Sequence, residues 1–519
     1  MDLNQEKYIL KNPNKIERKN IMSKFYDIVK DETLTFQQQI VAMARLAESQ
    51  DDTLKFNPLL LKAKQEGIIC DLNEGNTPYR PRYIIVNFEK FMQQGSKFLE
   101  LEKPNDLMEA LNNLQILYRH IPSITTYPVY LGDLDTILEE YVVKEDYEFA
   151  KKLLRLFLLN IDRTLTDSFV HANIGPKETV TGNILVELTS EMQLAIPNIT
   201  LKYDENITND KFANKCIQCM LKTAKPSFAN DKLFISEWGN DYAIASCYNG
   251  LTKGGGGFTL PRLRLYEMSL EAKDINDFKD NVLVKYTNLM LEFMDQRIEF
   301  IVEKSSFFKS NFLVTEGLLE LDKFTGMVGV VGLAECVNKL LNIIDPKQGF
   351  GNNEKADDLG EEIVKEIEMI VNNHKAKYAK AFDHKYRLHA QVGIDTDNRS
   401  DSPGARIPIG CEPELLQQVL HSTRYHKYFP TGIGDIFKFE NTWYNTPNAI
   451  LDIIKGAFNK DMRYFTGYLD DCDVVRVTGY LVKKSEIAKL EAHKQSLNNV
   501  TLFGKGARDT ADALDRKIN

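Results

Sequence analysis

Asn198-Ile199-Thr200-Leu201-Lys202-Tyr203, followed by ANKCIQCMLKTA at 213–224, KLFISE at 232–237 and YAIAS at 242–246, decides the fold class. The first, third and fourth runs are short and apolar, as strands in a buried sheet are. The second places apolar residues at helical spacing. Working outward, NILVEL (183–188), FTLPRLRLY (258–266), MVGVVG (327–332) and HAQVGID (389–395) read as further strands. DNVLVKYTNLMLEFMDQRIEFIVEK (280–304) reads as a long helix, and GNNEKADDLGEE (351–362) as a polar surface loop leading into another. Strands alternating with amphipathic helices predict an α/β architecture around a largely parallel, buried sheet. Ahead of it, IMSKFYDIVKDE (21–32), FQQQIVAMARLAES (36–49), DLMEALNNLQILYRHI (106–121) and YEFAKKLLRLFLLNIDRTL (147–165) repeat at helical period. Residues 1–165 are therefore expected to be mainly helical and without chemistry. The α/β body is expected at 166–455 and a separate C-terminal section at 456–519, where CDVVRVTGYLV (472–482) precedes a charged helix.

Composition narrows the function classes. Of 519 residues, 43% are hydrophobic and 27% charged, the balance of an ordinary soluble globular protein. A net charge of -9 argues against a nucleic-acid partner, which needs a basic face, but leaves room for a local basic pocket. The most apolar stretch, Met327 to Ile344, is interrupted by Glu335, Asn338 and Lys339 and falls short of a membrane span. The N-terminus has no secretory pattern, so a cytoplasmic protein with no membrane partner is expected. Seven cysteines, an odd number, read as free thiols.

Arg476-Val477-Thr478-Gly479-Tyr480 stands out in the C-terminal section. A glycine interrupting a strand is commonly a bulge or turn. It is also the residue that can store a radical on its backbone. Delocalisation onto the flanking amides requires a planar α-carbon, and a side chain would crowd that centre. Such a radical needs a relay to reach substrate. A cysteine suits the task, because its sulfur can give a hydrogen atom to the glycyl centre and take one from a C–H bond. Among Cys70, Cys216, Cys219, Cys247, Cys336, Cys411 and Cys472, Cys247 lies where a strand-like run ends and the glycine-rich Thr252–Phe258 loop follows. Four successive glycines let a ligand or another backbone approach closely. Cys336 and the Cys216/Cys219 pair sit in helical patterns that favour core packing.

These segments together resemble the glycyl radical enzymes. Arg476 to Tyr480 matches their radical motif, and Asp241 to Cys247 their Asp-Tyr-Ala-Ile-x-x-Cys run. Pro197 to Leu201 and Pro226 to Asp231 match two further motifs in the expected order. Length and the Ser-Cys-Tyr-Asn loop most resemble the YjjI family. Thr259–Leu265 and Gly329–Asn338 carry a more distant resemblance to anaerobic ribonucleotide reductases, but only Cys472 lies between Phe429 and Arg476, where those enzymes bind zinc through four cysteines. Ser246 replaces the second active-site cysteine of pyruvate formate-lyase. Asn249 replaces the glutamate base of the diol and choline eliminases.

The resemblance implies a ten-stranded α/β barrel of two antiparallel five-stranded parallel half-barrels in which the glycine and cysteine loops meet. It implies a homodimer whose cofactor is a post-translational glycyl radical on Gly479, with no bound metal or organic cofactor. A separate radical S-adenosylmethionine activating enzyme with an iron–sulfur cluster would install that radical. Cys247 would carry the thiyl radical. Asn249, Glu335, Arg262 and Arg264 are candidates for contact with a small polar substrate, a polyol, sugar or nucleoside-like molecule. Arg399, Arg406 and several histidines, His389 among them, are weaker candidates. An anaerobic ribonucleotide reductase-like enzyme and a radical-dead binding protein on the same barrel are the alternatives.

Overall fold

The computed structural model describes residues 13–48, 54–70, 79–121, 129–165, 169–390, 401–477, 480–497 and 518. In chain order the strands are β1 (Ile69–Cys70), β2 (Tyr83–Ile85), β3 (Tyr130–Asp133), β4 (His171–Ile174), β5 (Asn198–Tyr203) and β6 (Ser227–Asn230). Next come β7 (Tyr242–Ala245), β8 (Asn249–Thr252), β9 (Gly255–Gly257), β10 (Arg262–Arg264), β11 (Phe324–Thr325), β12 (Met327–Val331) and β13 (Arg387–Ala390). The last four are β14 (Asp435–Phe439), β15 (Tyr464–Leu469), β16 (Val474–Arg476) and β17 (Leu481–Lys483).

Two parallel blocks meet in opposite directions. β3, β4, β5 and β6 lie side by side and parallel, each joined to the next through helix, as parallel connections require. At its far edge β6 pairs antiparallel with β15, and β15 pairs parallel with β14. β10, β12 and β13 form a second parallel set, with β1 antiparallel on its edge. The strand and helix patterns predict the α/β class, and the opposed parallel blocks are what the family resemblance implies. The strands are buried almost throughout, with helices packed around them. No helix among the described residues is long and apolar enough to cross a membrane.

Several local expectations are corrected. Residues 183–188, expected as a strand, lie inside the helix Val180–Met192, capped where the Thr179 hydroxyl accepts the Gly182 N–H. Ile184, Leu185, Val186 and Leu188 are all buried, so this helix has little polar face and its period is hidden. Residues 232–237 likewise lie in the helix Asp231–Trp238, which starts at the Asn230 cap and stops at Gly239. Helix also begins at Glu354, inside the expected polar loop, where Asn353 caps it. Of FTLPRLRLY only Arg262–Arg264 is strand.

The glycine-rich run is not a loop. Gly255–Gly257 forms β9, packed between β2 and β11. A Cβ on Gly256 would lie 2.0 Å from the Tyr83 carbonyl oxygen, and one on Gly255 2.0 Å from that of Lys323. The glycines admit neighbouring backbone. The expected helical region also does more than cover the barrel, since it supplies β2 against β9 and β3 to the six-stranded sheet.

Candidate active site

β7 and β8 form an antiparallel hairpin whose turn, Ser246-Cys247-Tyr248, lies between the paired Ala245 and Asn249. The hairpin lies along the faces of β4 and β5. Period-two alternation puts His171 and Asn173 on one face of β4, and Asn198, Thr200 and Lys202 on one face of β5. Those side chains hold the finger rung by rung. At its base the Lys202 ammonium donates to the Tyr242 carbonyl and to Asp133, which also pairs with Lys253. In the middle the Asn173 amide closes a two-way bond, donating to the Ile244 carbonyl and accepting the Ile244 N–H at 2.8 Å each. At the tip His171 Nδ1 lies 2.8 Å from the Ser246 carbonyl oxygen.

A carbonyl only accepts, so His171 Nδ1 carries the hydrogen. Nε2 then accepts from the Thr200 hydroxyl at 2.8 Å. Burial pushes His171 down to about 3, keeping the ring neutral. The turn it grips is strained: Ser246 has φ +60, in the left-handed region that side-chain-bearing residues avoid. Its neighbours hold it there. The Tyr464 hydroxyl donates to the Cys247 carbonyl at 3.0 Å, and the Tyr248 hydroxyl to the Ala390 carbonyl at 2.9 Å. Such over-determination is what lets a strained conformation persist.

Cys247 is 9% exposed, and its sulfur lies 3.6 Å from the Ser246 hydroxyl. Burial pushes its thiol up, against the opposing pull of the Ser246 hydroxyl and of the Arg476, Arg406 and Arg82 guanidiniums. Asn249, one residue past Tyr248, is 1% exposed, and neither its Oδ1 nor its Nδ2 has a hydrogen-bond partner among the described residues. The Tyr83 hydroxyl is the neighbour that the Asn249 amide approaches, outside good hydrogen-bond geometry, and it also feels the Cys247 sulfur. Around Tyr248 stand the rings of His389, stacked at 5.7 Å, and Tyr464, edge-on at 5.8 Å. Gly432 and Gly434 make room for it, for a Cβ on either would fall within 3.0 Å of Tyr248. His389 Nδ1 donates to the Thr431 carbonyl, so Nε2 bears the lone pair; burial pushes its pKa down to about 3.

The C-terminal hairpin comes to the same end of β4–β6. β16 pairs with β17, and the Val477 N–H donates to the Tyr480 carbonyl at 3.1 Å. Gly479 itself, with Thr478, lies outside the described residues, as does Arg399. The flanking residues are well placed. Arg476, 1% exposed, donates from Nη2 to Asn198 Oδ1, the Ala224 carbonyl and Ser227 Oγ at 2.9–3.0 Å. With Oδ1 so engaged, Asn198 turns its Nδ2 toward His171 Nδ1 at 3.3 Å, a close contact between two hydrogen-bearing nitrogens. The Tyr480 ring meets Phe169 edge-on at 5.4 Å, and Phe169 packs against the aromatic cluster that contains Cys247 and Tyr248.

The other sequence candidates have these surroundings. Arg264 is neutralised by Asp401 and Glu267 and donates to the Gly67 carbonyl. Arg262, 1% exposed, packs its stem against Gly329. Glu335 starts the helix after β12, where its Oε1 accepts the Ser402 N–H and hydroxyl. Its residue surface is partly exposed, yet Oε2 has neither solvent nor partner, and burial pushes the acid up to about 7. Cys336 is wholly buried in the core, and Cys219 points its sulfur at the Val186 carbonyl. Among the described residues no group of three or more His, Cys, Asp or Glu is placed to hold a metal. Sequence reasoning missed Tyr83, Arg82, His171 and Tyr464. Each reaches the site from a distant segment, with no local pattern to mark it.

A family model described as "Glycyl radical enzyme YjjI-like" matches residues 34–519. An uncharacterized protein of Haemophilus influenzae is 40% identical over 497 residues, covering 95% of this chain and 96% of its own. Among solved structures, a Roseburia inulinivorans protein described for 1,2-propanediol dehydration superposes with TM-score 0.71 at 10% identity, covering 95% of this chain and 88% of that one. The anaerobic ribonucleotide reductase of Thermotoga maritima, in complex with dATP and CTP, gives TM-score 0.66 at 12% identity, covering 91% and 89%. At these identities the two structures speak for the fold alone, and the fold is theirs.

Proposed function

The chain belongs to the YjjI-like glycyl radical enzymes, and from that premise we propose that Gly479 stores the radical and Cys247 relays it to a small polar substrate. Enzymes of this kind carry a post-translational glycyl radical and are activated by a radical S-adenosylmethionine enzyme. Here the Gly479 α-carbon takes the hydrogen atom from the Cys247 S–H, leaving a thiyl radical. The sulfur then takes hydrogen from a substrate C–H, restoring S–H and leaving a carbon radical. After elimination, cleavage or rearrangement, the same atoms return in reverse order, so electrons and hydrogens balance over a turnover.

The observation that carries this reading is the shared grip on His171 and Asn198. Asn198 holds Arg476, three residues before Gly479, while His171 holds the carbonyl of Ser246, the residue before Cys247. Two segments more than two hundred residues apart are thus registered on adjacent strands. Rigid supports of this sort are what a hydrogen-atom transfer needs, since its geometry tolerates little slack. Asn249, an amide, cannot act as a base, but it can hold a substrate hydroxyl. His389 Nε2 offers a second acceptor.

Anaerobic activation followed by electron paramagnetic resonance tests the assignment. A doublet from the glycyl α-hydrogen is expected, abolished by Gly479→Ala. Cys247→Ala should keep the doublet and lose turnover. A doublet that survives Gly479→Ala, or turnover that survives Cys247→Ala, overturns it.

A further inference from the structure

Arg406 is 8% exposed and lies beside the cysteine turn, its guanidinium carbon 5.6 Å from the centre of the Tyr248 ring. Its Nε donates to the Gly434 carbonyl at 2.5 Å, and its buried Nη1 has no hydrogen-bond partner. Among the described residues it makes no ion pair, whereas the similarly buried Arg463 and Arg264 each meet a carboxylate. A guanidinium cannot shed its proton, so a desolvated one without a counter-charge is costly unless a ligand supplies the charge. Asn249, 1% exposed, follows the same turn with the Tyr83 hydroxyl as a neighbour, and neither of its polar atoms makes a well-formed hydrogen bond among the described residues.

Resting on the reading of Cys247 as the relay, we propose that the substrate carries a carboxylate, which pairs with the open edge of Arg406, and a hydroxyl, which Asn249 holds beside the sulfur. The class is a small hydroxy acid. The charges acting most on the Cys247 sulfur are Arg476, Arg406 and Arg82, all positive, as an anion-binding site requires. With Nε committed to Gly434, the remaining N–H edge presents the planar fork that fits a carboxylate. A phosphate would call for more donors than this edge provides. The site would thus favour glycerate over glycerol, and lactate over 1,2-propanediol.

Binding to the unactivated protein tests this without any radical, so a failed relay and a failed carboxylate site give different results. Thermal shift and calorimetry would compare formate, pyruvate, lactate, glycerate and malate with neutral partners of matching carbon number, and with inorganic phosphate. At least one carboxylate should bind about tenfold or more tightly than its neutral partner. Arg406→Gln should erase that preference, and Arg406→Lys should keep part of it. Asn249→Ala should weaken glycerate while leaving pyruvate unchanged. No carboxylate preference in the wild type, or phosphate binding as tightly, would overturn the proposal even if the Arg406 variants fail to fold.

Discussion

Arg476→Met is the most informative change to the hairpin that carries the proposed radical site. Arg476 makes three contacts from one nitrogen, Nη2, to Asn198 Oδ1, the Ala224 carbonyl and Ser227 Oγ. Nη2 has only two hydrogens, so the three contacts amount to two full bonds. Bonds from a charged donor contribute roughly 1.5–3 kcal/mol each, about 3–6 kcal/mol for these contacts. Burying the guanidinium offsets part of that, and about 3 kcal/mol is a fair net figure. This energy is local, because the acceptors sit on β5, β6 and the turn before β6, while Arg476 belongs to a two-stranded hairpin with little sheet of its own. Opening of β16–β17 should therefore become roughly a hundredfold more frequent, at about 1.4 kcal/mol per factor of ten. Native-state hydrogen exchange resolved over 474–477 and 480–483 reads it directly. The hairpin should lose about two orders of magnitude of protection while β4 and β5 lose none. Unchanged hairpin protection, or a loss shared by the whole barrel, would refute the idea that Arg476 is a local fastening.

Two other perturbations follow from buried groups. Asp135 is fully buried and pushed up to about 7, chiefly by desolvation. Between its ordinary value of 3.8 and 7 the folded protein holds a proton that the unfolded chain has lost, so stability falls as pH rises through that window. Relative to Asp135→Asn, the wild type should lose about 2–3 kcal/mol between pH 5 and pH 7 and little more above, read by denaturant melts; a flat difference would mean that Asp135 is ionised throughout. Gly256→Ala would drive a Cβ to 2.0 Å from the Tyr83 carbonyl oxygen, a backbone atom that cannot swing aside. Destabilisation of about 1–3 kcal/mol or more is expected, with disturbance of Tyr83 beside the sulfur; an unperturbed melt would place the glycine run outside the sheet.

What the sequence made legible follows from how far apart the contributing residues lie. Asn198–Tyr203 and Tyr242–Ala245 read as strands because a short apolar run between turn residues is a local signal, and both are strands. Residues 183–188 and 232–237 misled because an extensively buried helix shows the same apolar run as a buried strand. Their caps, Thr179 and Asn230, were the better guide. The glycine run signals close approach of a ligand or another backbone, and the identity of that neighbour, β2, is what a local reading cannot show. Cys247 stood out through the turn that presents it. The residues that fix that turn did not, since His171 is 75 residues from Ser246 and Tyr464 is 217 from Cys247. Burial of an unpaired charge is equally invisible in sequence. Arg406 and Arg264 look alike as letters, and only the fold gives one a carboxylate partner.

The two proposals bear on one another through the protonation of Cys247. Hydrogen-atom transfer needs S–H, and a thiolate has no hydrogen to give. Three guanidiniums acting on the sulfur pull toward the thiolate, while burial pushes the other way, and burial is the larger influence. An ordinary thiol is already protonated near neutrality, and desolvation moves Cys247 further in that direction. A carboxylate arriving at Arg406 would neutralise one of the opposing charges and exclude water from the turn, and both effects raise the thiol further. Substrate binding would then protect the reactive form of the sulfur as well as position the C–H bond. This dependence has a measurable sign. The pH at which unactivated Cys247 becomes reactive toward a neutral alkylating reagent should rise when a binding carboxylate is present and should not rise with its neutral partner. In Arg406→Gln the carboxylate should lose that effect, because the charge it cancels is already gone. A carboxylate that lowers the pH of reaction, or shifts it equally in wild type and variant, would separate the anion site from the sulfur and leave Arg406 with no part in the chemistry.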